Sequence, residues 1–211
     1  MNPFRFFDLI CCINLNSRPD RWEKAWKEFQ GMGIEYEVVR IEGIKHVNPA
    51  LGCHLSHARC IQKAIDINAK NILIFEDDIE FFTNAYENLI QSLVELPLDW
   101  DMFYLGANLD AYPARQISDH IISITGAFST HAYSFTNKLF NLLKEINEDF
   151  SIAHNDVYYA NNIHSQYNSY LAYPLIAGQR EDFSDVQRTV MKSNPIFLER
   201  VEKNTLWELK R

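Results

Sequence analysis

Three consecutive carboxylates, Glu76, Asp77 and Asp78, are the most distinctive chemical feature of the sequence. They directly follow an apolar run at residues 72–75, which is typical of a strand covered on both faces of a parallel sheet. Open α/β sheets bind ligands at the carboxyl ends of such strands. Adjacent carboxylates repel one another, and oxygen ligands favour a hard cation such as Mn²⁺ or Mg²⁺. The segment therefore predicts a cation site, and a solvated acidic turn is the alternative.

Side-chain direction narrows the set of expected metal ligands. In an extended backbone Glu76 and Asp78 would face one side and Asp77 the other, so we expect the first two to face the ion. His131 and His154 could each add a nitrogen ligand, and we include His131 in the predicted site. A histidine in a mostly buried strand is, however, more often only hydrogen-bonded.

A second group of reactive side chains lies in the segment 52–60. Cys53, His57 and Cys60 would share one face of a helix, which is the arrangement of a soft-metal site, but no fourth ligand is evident. Buried cysteine and histidine are also ordinary core residues. Ser56 and His57 could form a nucleophile–base pair, although neighbours on a helix point about 100° apart.

Three isolated aspartates are further candidates for acid–base chemistry. Asp101 begins a predicted strand, Asp110 follows the next loop, and Asp156 precedes two tyrosines. Any of them could instead be a surface cap, because aspartate commonly starts helices. The sequence contains neither GxGxxG nor GxxxxGK[ST], so it supports neither a Rossmann dinucleotide loop nor a P-loop.

The first part of the chain alternates between strand and helix patterns, which predicts a parallel sheet with helices on its faces. The predicted order is strand 9–15, helix 17–33, strand 35–41, helix 50–68 and the strand before the carboxylates. The second part predicts a helix at 84–96, a strand at 100–106, a hairpin or two mixed strands around Gly126, helices at 136–146 and 156–163, and a strand at 170–174. From about residue 175 the chain turns polar, and we expect an irregular lid or tail.

The amino-acid composition limits the classes of protein to which the chain can belong. The chain has 211 residues, enough for one domain with a substantial core, and 47% hydrophobic residues. Its net charge of −8 argues against nucleic acid or an anionic membrane as principal partner. Four cysteines without secreted-scaffold density indicate reduced thiols, and no apolar run approaches the roughly 18 residues of a spanning helix. We expect an unprocessed cytoplasmic protein, with peripheral membrane association and oligomeric state left open.

Seven segments together resemble the ordered landmarks of glycosyltransferase family 25. The family includes bacterial lipooligosaccharide galactosyltransferases and the collagen galactosyltransferase domain. The resemblance spans almost the whole chain from about residue 9 to 186. The segments are residues 13–22, 52–57, 72–81, 100–106, 132–136, 154–156 and 174–185.

The resemblance implies a GT-A fold, which is one α/β domain over residues 1–211. It has a central mostly parallel sheet flanked by helices, a mixed smaller sheet and an irregular C-terminal segment. The expected parts are a nucleotide-sugar-binding half to about residue 106, an acceptor-binding half at about 107–186 and a tail at about 187–211. The implied reaction moves galactose or glucose from a UDP-sugar to a hydroxyl of a glycan or glycoprotein, with inversion and Mn²⁺ or Mg²⁺.

Matching positions assign roles to individual residues. Asp78 is the first expected metal ligand, and Asp156 is the expected base that takes the acceptor's proton, with Asp110 and Asp101 as alternatives. Arg18 or Arg21 could pair bidentately with phosphate. The expected donor-binding residues are Asn14, Arg18, Arg21, Ser56, His57, Glu76, Asp77, Gln179 and Ser184.

Two other classes of function remain open from the sequence. The same carboxylates could serve a metal-dependent nuclease or phosphohydrolase, which would hydrolyse phosphoesters without an acceptor sugar. A non-catalytic glycan-binding protein could retain the fold without turnover. The scarcity of basic patches counts against the first of these.

Overall fold

The computed structural model describes residues 2–109, 112–180, 183–184 and 189–190. The helices in this part of the chain are α1 (Pro19–Met32), α2 (Pro49–Asp66), α3 (Ala85–Glu95), α4 (Phe140–Glu148) and α5 (Asn155–Asn162). The strands are β1 (Leu9–Asn14), β2 (Val38–Glu42), β3 (Asn71–Glu76), β4 (Ile79–Phe81), β5 (Met102–Asn108), β6 (Ala114–Gln116), β7 (Ile121–Ile124), β8 (Phe128–Thr136), β9 (Ser169–Ala172), β10 (Ala177–Gln179), β11 (Phe183–Ser184) and β12 (Thr189–Val190). Within the described ranges, none of the helices combines the length and the apolar character needed to cross a membrane.

An eight-stranded sheet forms the centre of the fold, in the order β2-β1-β3-β8-β5-β9-β7-β6. β1 pairs in parallel with β2 and β3, and β5 pairs in parallel with β9. β8 and β7 run antiparallel to their neighbours, so the other six strands share one direction. The α/β class with a mostly parallel central sheet, which the alternating pattern predicts, is confirmed.

Helices cover both faces of the sheet, and this explains the continuous apolar run in β3. Ile72 and Ile74 pack with α2 and α4 on one face, whereas Leu73 and Phe75 pack with α1 and α3 on the other. All four side chains are fully buried. Because successive strand residues point to opposite faces, a strand covered on both sides must be apolar at every position.

The second half of the chain confirms one expectation and contradicts another. β7 and β8 are two strands of a mixed sheet, which is the second of the two predicted alternatives, and not a hairpin, because β8 inserts between β3 and β5 while β7 lies between β9 and β6. The chain after Leu175 is not irregular from the start, since residues 175–177 are buried and β10 pairs antiparallel with β4. This small second sheet holds the segment that follows the acidic carboxylates against the main body.

Candidate active site at the carboxyl edge of the sheet

A pocket of about 560 Å³ opens at the edge of the sheet where β1, β2 and β3 end. Its walls come from the loops after β1 and β2, the first half of α2, the turn after β3 and the start of α5. β8 runs antiparallel to β3, so its first residues, Ser129 and Thr130, reach the same edge. The pocket therefore gathers groups that are distant in sequence.

The three consecutive carboxylates line this pocket, but they do not alternate as predicted. β3 ends at Glu76, and the chain turns at Asp77 and Asp78 before β4 begins. The guanidinium of Arg21 contacts both residues of the turn, with Nε 3.0 Å from Asp77 Oδ1 and Nη2 2.6 Å from Asp78 Oδ2. The predicted grouping of Glu76 with Asp78 against Asp77 is wrong, because the backbone does not remain extended.

Glu76 points toward α2 and β8. Its Oε1 accepts a hydrogen bond of 2.9 Å from Thr130 Oγ1 and lies 3.5 Å from His57 Nε2. Burial raises the pKa of Glu76, but interaction with His57 and Thr130 outweighs burial and lowers the pKa to about 2. Glu76 is therefore an anion at neutral pH, on the side of the pocket nearest α2.

Asp78 is the more basic carboxylate of the turn. Burial raises its pKa to about 7, because the opposing effect of Arg21 is partly offset by the neighbouring charges of Glu76 and Asp77. Burial also raises the pKa of Asp77. Asp78 Oδ1 is buried and has no hydrogen-bond partner among the described residues. A buried acceptor of this kind costs free energy unless a donor or a cation meets it.

Asn14, at the end of β1, joins the acidic turn to α1. Its Nδ2 donates to Asp77 Oδ2 at 2.5 Å and to the carbonyl of Arg18 at 3.0 Å, and its Oδ1 accepts from Arg40. The Arg40 guanidinium also lies 5.0 Å from the ring centroid of Trp22. No sequence signal pointed to Arg40, because its role depends on the register of β2 beside β1. Arg18 itself lines the pocket.

The Gly52–Ser56 segment of α2 fixes the loop at residues 43–47, which forms one wall of the pocket. Ser56 Oγ donates to the carbonyl of Gly52 at 2.6 Å and accepts from Ile44 N at 2.8 Å. A Cβ on Gly52 would lie only 2.3 Å from the carbonyl oxygen of Ile44. The Ser56–His57 nucleophile–base pair is not formed, since Ser56 holds this loop and His57 Nδ1 contacts Tyr133 Oη at 3.0 Å.

Asp156 faces the pocket from the first turn of α5, where the helix dipole favours a negative charge. Its Oδ2 accepts from Ser129 N at 3.1 Å and its Oδ1 from Val157 N at 2.8 Å. Ser129 has φ +77°, a strained conformation that proteins often keep at functional sites. His54 Nε2 accepts from Asn155 N at 2.9 Å and so ties α5 to α2. None of these long-range contacts has a sequence signal.

The structure does not form the soft-metal arrangement of Cys53, His57 and Cys60, and Cys60 is instead the ordinary core residue of the alternative interpretation. Cys60 is fully buried and interacts with Cys11 of β1, because the pocket covers only the first turns of α2. Cys53 does line the pocket, and burial followed by the charge of Glu76 raises the pKa of its thiol.

Two further predicted residues lie away from the pocket. His131 is fully buried, and strand alternation directs it away from the side on which Thr130 meets Glu76. Asp101 precedes β5, which runs in the same direction as β3, so it lies at the opposite edge of the sheet. There it is buried and paired with Lys138, its Oδ1 3.0 Å from Nζ. Neither residue lines the pocket, so the structure does not support His131 as a metal ligand or Asp101 as the alternative base.

The remaining candidates are placed as follows. Gln179 of β10 and His154, which precedes α5, both line the pocket. Ser184 lies in β11, opposite Thr189 of β12. Asp110 lies outside the residues that the structure describes.

A family model described as glycosyltransferase family 25 (LPS biosynthesis protein) matches residues 42–171, which is more than half of the sequence. The chain belongs to glycosyltransferase family 25. The matched range contains α2, the acidic turn and Asp156, whereas Asn14, Arg21 and Gln179 lie outside it. The sequence resemblance assigns these three residues to the donor site, and in the structure Arg21 and Gln179 line the pocket while Asn14 contacts Asp77.

Curated relatives of this family 25 chain include enzymes and proteins named inactive. Procollagen galactosyltransferase 1 of Danio rerio is 30% identical over 129 residues, covering 47% of this chain and 21% of that protein. Inactive glycosyltransferase 25 family member 3 of Homo sapiens is 28% identical over 129 residues, covering 47% of this chain and 22% of that protein. The chain therefore spans about a fifth of the length of these relatives.

One solved structure has a comparable overall fold. The crystal structure of A197 from STIV aligns with a TM-score of 0.52 at 13% identity, over 88% of this chain and 94% of that chain. At this identity the likeness concerns the fold alone. Together with family membership, it agrees with the α/β fold of the GT-A type that the family resemblance implies.

Proposed function

We propose that this chain is an inverting glycosyltransferase that moves galactose or glucose from a UDP-sugar to a hydroxyl of a glycan or glycoprotein acceptor. The main support for the proposal is that a family 25 chain places two sets of carboxylates in the same pocket. The acidic turn after β3 lies on one side, and Asp156 at the start of α5 lies on the other. We further propose that the protein acts in the cytoplasm.

The proposed donor site lies on the α1 side of the pocket. Arg18 lines the wall there, where its guanidinium is paired with the exposed Asp20 through Nε and Nη2, each 3.0 Å from a carboxylate oxygen. We propose that a diphosphate takes the place of Asp20 in bidentate binding to this guanidinium. Arg21 holds Asp77 and Asp78 in place, so its role is to position the acidic turn. The acceptor hydroxyl is proposed to approach Asp156, which takes its proton during displacement. The half-buried position of Asp156 leaves a path for an acceptor.

The residues of the acidic turn fit a hard divalent ion such as Mn²⁺ or Mg²⁺. Asp78 Oδ1 is a buried oxygen without a hydrogen-bond partner in the described part of the chain, and Glu76 is an anion that lines the same pocket. Oxygen atoms of this kind are the ligands that these ions prefer. A bound ion would offset the negative charge of the departing diphosphate.

Thermal denaturation with nucleotide sugars tests the donor and metal together. A ligand that binds only the folded state raises stability by about 2.7 kcal/mol at a concentration 100 times its Kd. For a chain of this size that corresponds to a Tm increase of roughly 5–10 °C. We expect the increase with Mn²⁺ plus UDP-galactose or UDP-glucose, and its loss with EDTA or in Asp78→Asn.

Asp66→Asn provides the control, because Asp66 is an exposed carboxylate at the far end of α2. It should retain the full increase. Millimolar UDP-galactose and UDP-glucose with Mn²⁺ or Mg²⁺ that leave Tm unchanged would contradict the proposal. If the protein hydrolyses the UDP-sugar, and adding an acceptor does not convert this hydrolysis into transfer, the result would instead favour a phosphohydrolase.

A non-catalytic glycan-binding role is the second candidate. Several curated relatives carry the word inactive in their names, and Arg21 already pairs with two of the three carboxylates. In that case glycan binding would persist with EDTA and in Asp78→Asn, and no UDP would be released on addition of donor and acceptor.

A further inference from the structure

Three side chains of metal-binding type converge on the α2 side of the pocket. Ligand atoms of Cys53, His57 and Glu76 all lie within 4.8 Å of one another. Cys53 and His57 are four residues apart and so lie on one face of α2, while Glu76 approaches from the end of β3. The cluster is therefore built on two rigid elements that pack together.

The imidazole of His57 is oriented as in many metal sites. The side chain is fully buried, and Nδ1 lies 3.0 Å from Tyr133 Oη. Nε2 has no hydrogen-bond partner among the described residues and lies 3.5 Å from Glu76 Oε1, which is long for a hydrogen bond. Metal-binding histidines commonly donate their other ring N–H to a neighbouring acceptor, and Tyr133 Oη occupies that position.

We infer that Cys53 Sγ, His57 Nε2 and a carboxylate oxygen of Glu76 form a binding site for a borderline divalent metal such as Zn²⁺, with the fourth position open to the pocket. A sulfur, nitrogen and oxygen donor set selects Zn²⁺ or Co²⁺ over the harder Mn²⁺ and Mg²⁺. Three protein ligands with one open position is the usual arrangement of a zinc site that exchanges its fourth ligand.

The geometry requires only a small closure. Bond lengths of about 2.0–2.3 Å around a tetrahedral ion place ligand atoms about 3.4–3.6 Å apart. The histidine and glutamate atoms already have this separation, at 3.5 Å. Because all three ligand atoms lie within 4.8 Å of one another, the cysteine must approach by at most about 1 Å, which a χ1 adjustment of a short side chain provides. The cysteine binds as thiolate, so its proton passes to solvent and no redox step occurs.

This site is separate from the hard-ion site proposed at Asp78, although both use Glu76. Zn²⁺ held by α2 would draw Glu76 away from the acidic turn and would occupy space beside Asp156. We therefore expect Zn²⁺ to compete with binding of Mn²⁺ and to inhibit any transfer reaction in this pocket.

Titration of the reduced full chain with Co²⁺ tests the site directly. A thiolate ligand gives cobalt an intense charge-transfer band in the near ultraviolet, and tetrahedral geometry gives visible d–d bands. We expect both at one equivalent of Co²⁺, with loss on addition of Zn²⁺. Cys53→Ser should abolish the charge-transfer band, whereas Asp78→Asn should keep it. Absence of the band in the native chain, or its persistence in Cys53→Ser, would overturn the inference.

Thiol labelling gives an independent readout. Cys53 is half-buried while Cys11, Cys12 and Cys60 are buried, so iodoacetamide should modify Cys53 first. One equivalent of Zn²⁺ should slow this modification at least about tenfold, and an unchanged rate would contradict the site. A cobalt band without any nucleotide-sugar effect on Tm would retain the metal site and reject the proposed transferase function. A Tm increase with nucleotide sugar but no cobalt band would retain the proposed transferase function and reject the metal site.

Discussion

Arg21 changes how the acidic turn must be understood at the level of single residues. Three adjacent carboxylates in the sequence predict a metal ion, but the guanidinium of Arg21 contacts Asp77 and Asp78 and is itself largely buried. Burial disfavours the charge of Arg21, and the two aspartates more than compensate, so its pKa is raised. A divalent ion at Asp78 would therefore enter a turn whose position is already fixed, which is a form of preorganisation.

Asp156→Asn is the residue-scale prediction. If Asp156 takes the acceptor's proton, the substitution should reduce the transfer rate about 10²- to 10⁴-fold, because the amide cannot act as base. The Tm increase with Mn²⁺ and UDP-sugar should remain, since Asp156 is not proposed to bind the donor. UDP release in the presence of acceptor measures the first effect, and thermal denaturation measures the second.

Asp149→Asn is the matched control for this experiment. Asp149 also accepts hydrogen bonds from a nearby residue, Ser151, but it lies outside the residues that line the pocket. Its substitution should leave the transfer rate unchanged. A native rate in Asp156→Asn would show that another group accepts the proton.

The element that organises the site is the first half of α2. One face presents Cys53 and His57 to the pocket, Ser56 holds the loop after β2, and His54 accepts from the first residue of α5. Through these contacts and that of His57 with Tyr133 of β8, three neighbouring positions of α2 hold three different parts of the chain. The close approach at Gly52 allows this, because any side chain there would meet the backbone of the loop.

Two glycine substitutions test this arrangement. Gly52→Ala places a Cβ 2.3 Å from the carbonyl oxygen of Ile44, so we expect a destabilisation of about 1–3 kcal/mol. Gly31→Ala, on α1, has open space around the added Cβ and should stabilise by about 0.5–1 kcal/mol. Urea unfolding of both variants measures the difference. A Gly52→Ala protein as stable as Gly31→Ala would show that the loop is not held against α2.

Buried histidines dominate the expected pH dependence of the whole molecule. Burial lowers the pKa of His54, His131 and His164 to about 4 in each case. In the unfolded chain histidine titrates near 6.5, so as the pH falls from about 6.5 to 4 the unfolded state binds up to three more protons. Asp78 acts in the opposite direction, because its raised pKa of about 7 makes the folded state bind one more proton in the same range.

The net difference of about two protons predicts that the free energy of unfolding falls as pH decreases from 6.5 to 4. The slope should approach about 2–3 kcal/mol per pH unit near pH 5. Urea unfolding at several pH values measures it. His164→Gln should lower the difference in bound protons between the unfolded and folded states by about one, and the slope should fall in proportion. His46→Gln, at an exposed loop position, should preserve the slope. Equal stability at pH 7 and pH 5 would contradict the prediction.

Local patterns determined which elements exist and which end of the sheet carries the acidic group. The apolar run before Glu76 and the alternation of strands and helices are local consequences of burial on both faces, so the sequence predicts β1 to β3 with α1 and α2 between them. The sequence likewise predicted an aspartate at the start of α5, since the residues that begin a helix form a local pattern.

The tertiary structure alone decided which of these groups meet. The insertion of β8 between β3 and β5 brings Thr130 to Glu76 and Ser129 to Asp156, and it removes His131 from the pocket. The turn at the carboxylates, rather than an extended strand, pairs Asp77 and Asp78 with Arg21. Such contacts join residues far apart in sequence, and strand order fixes them. A strand's own residues report its burial but do not specify its neighbours.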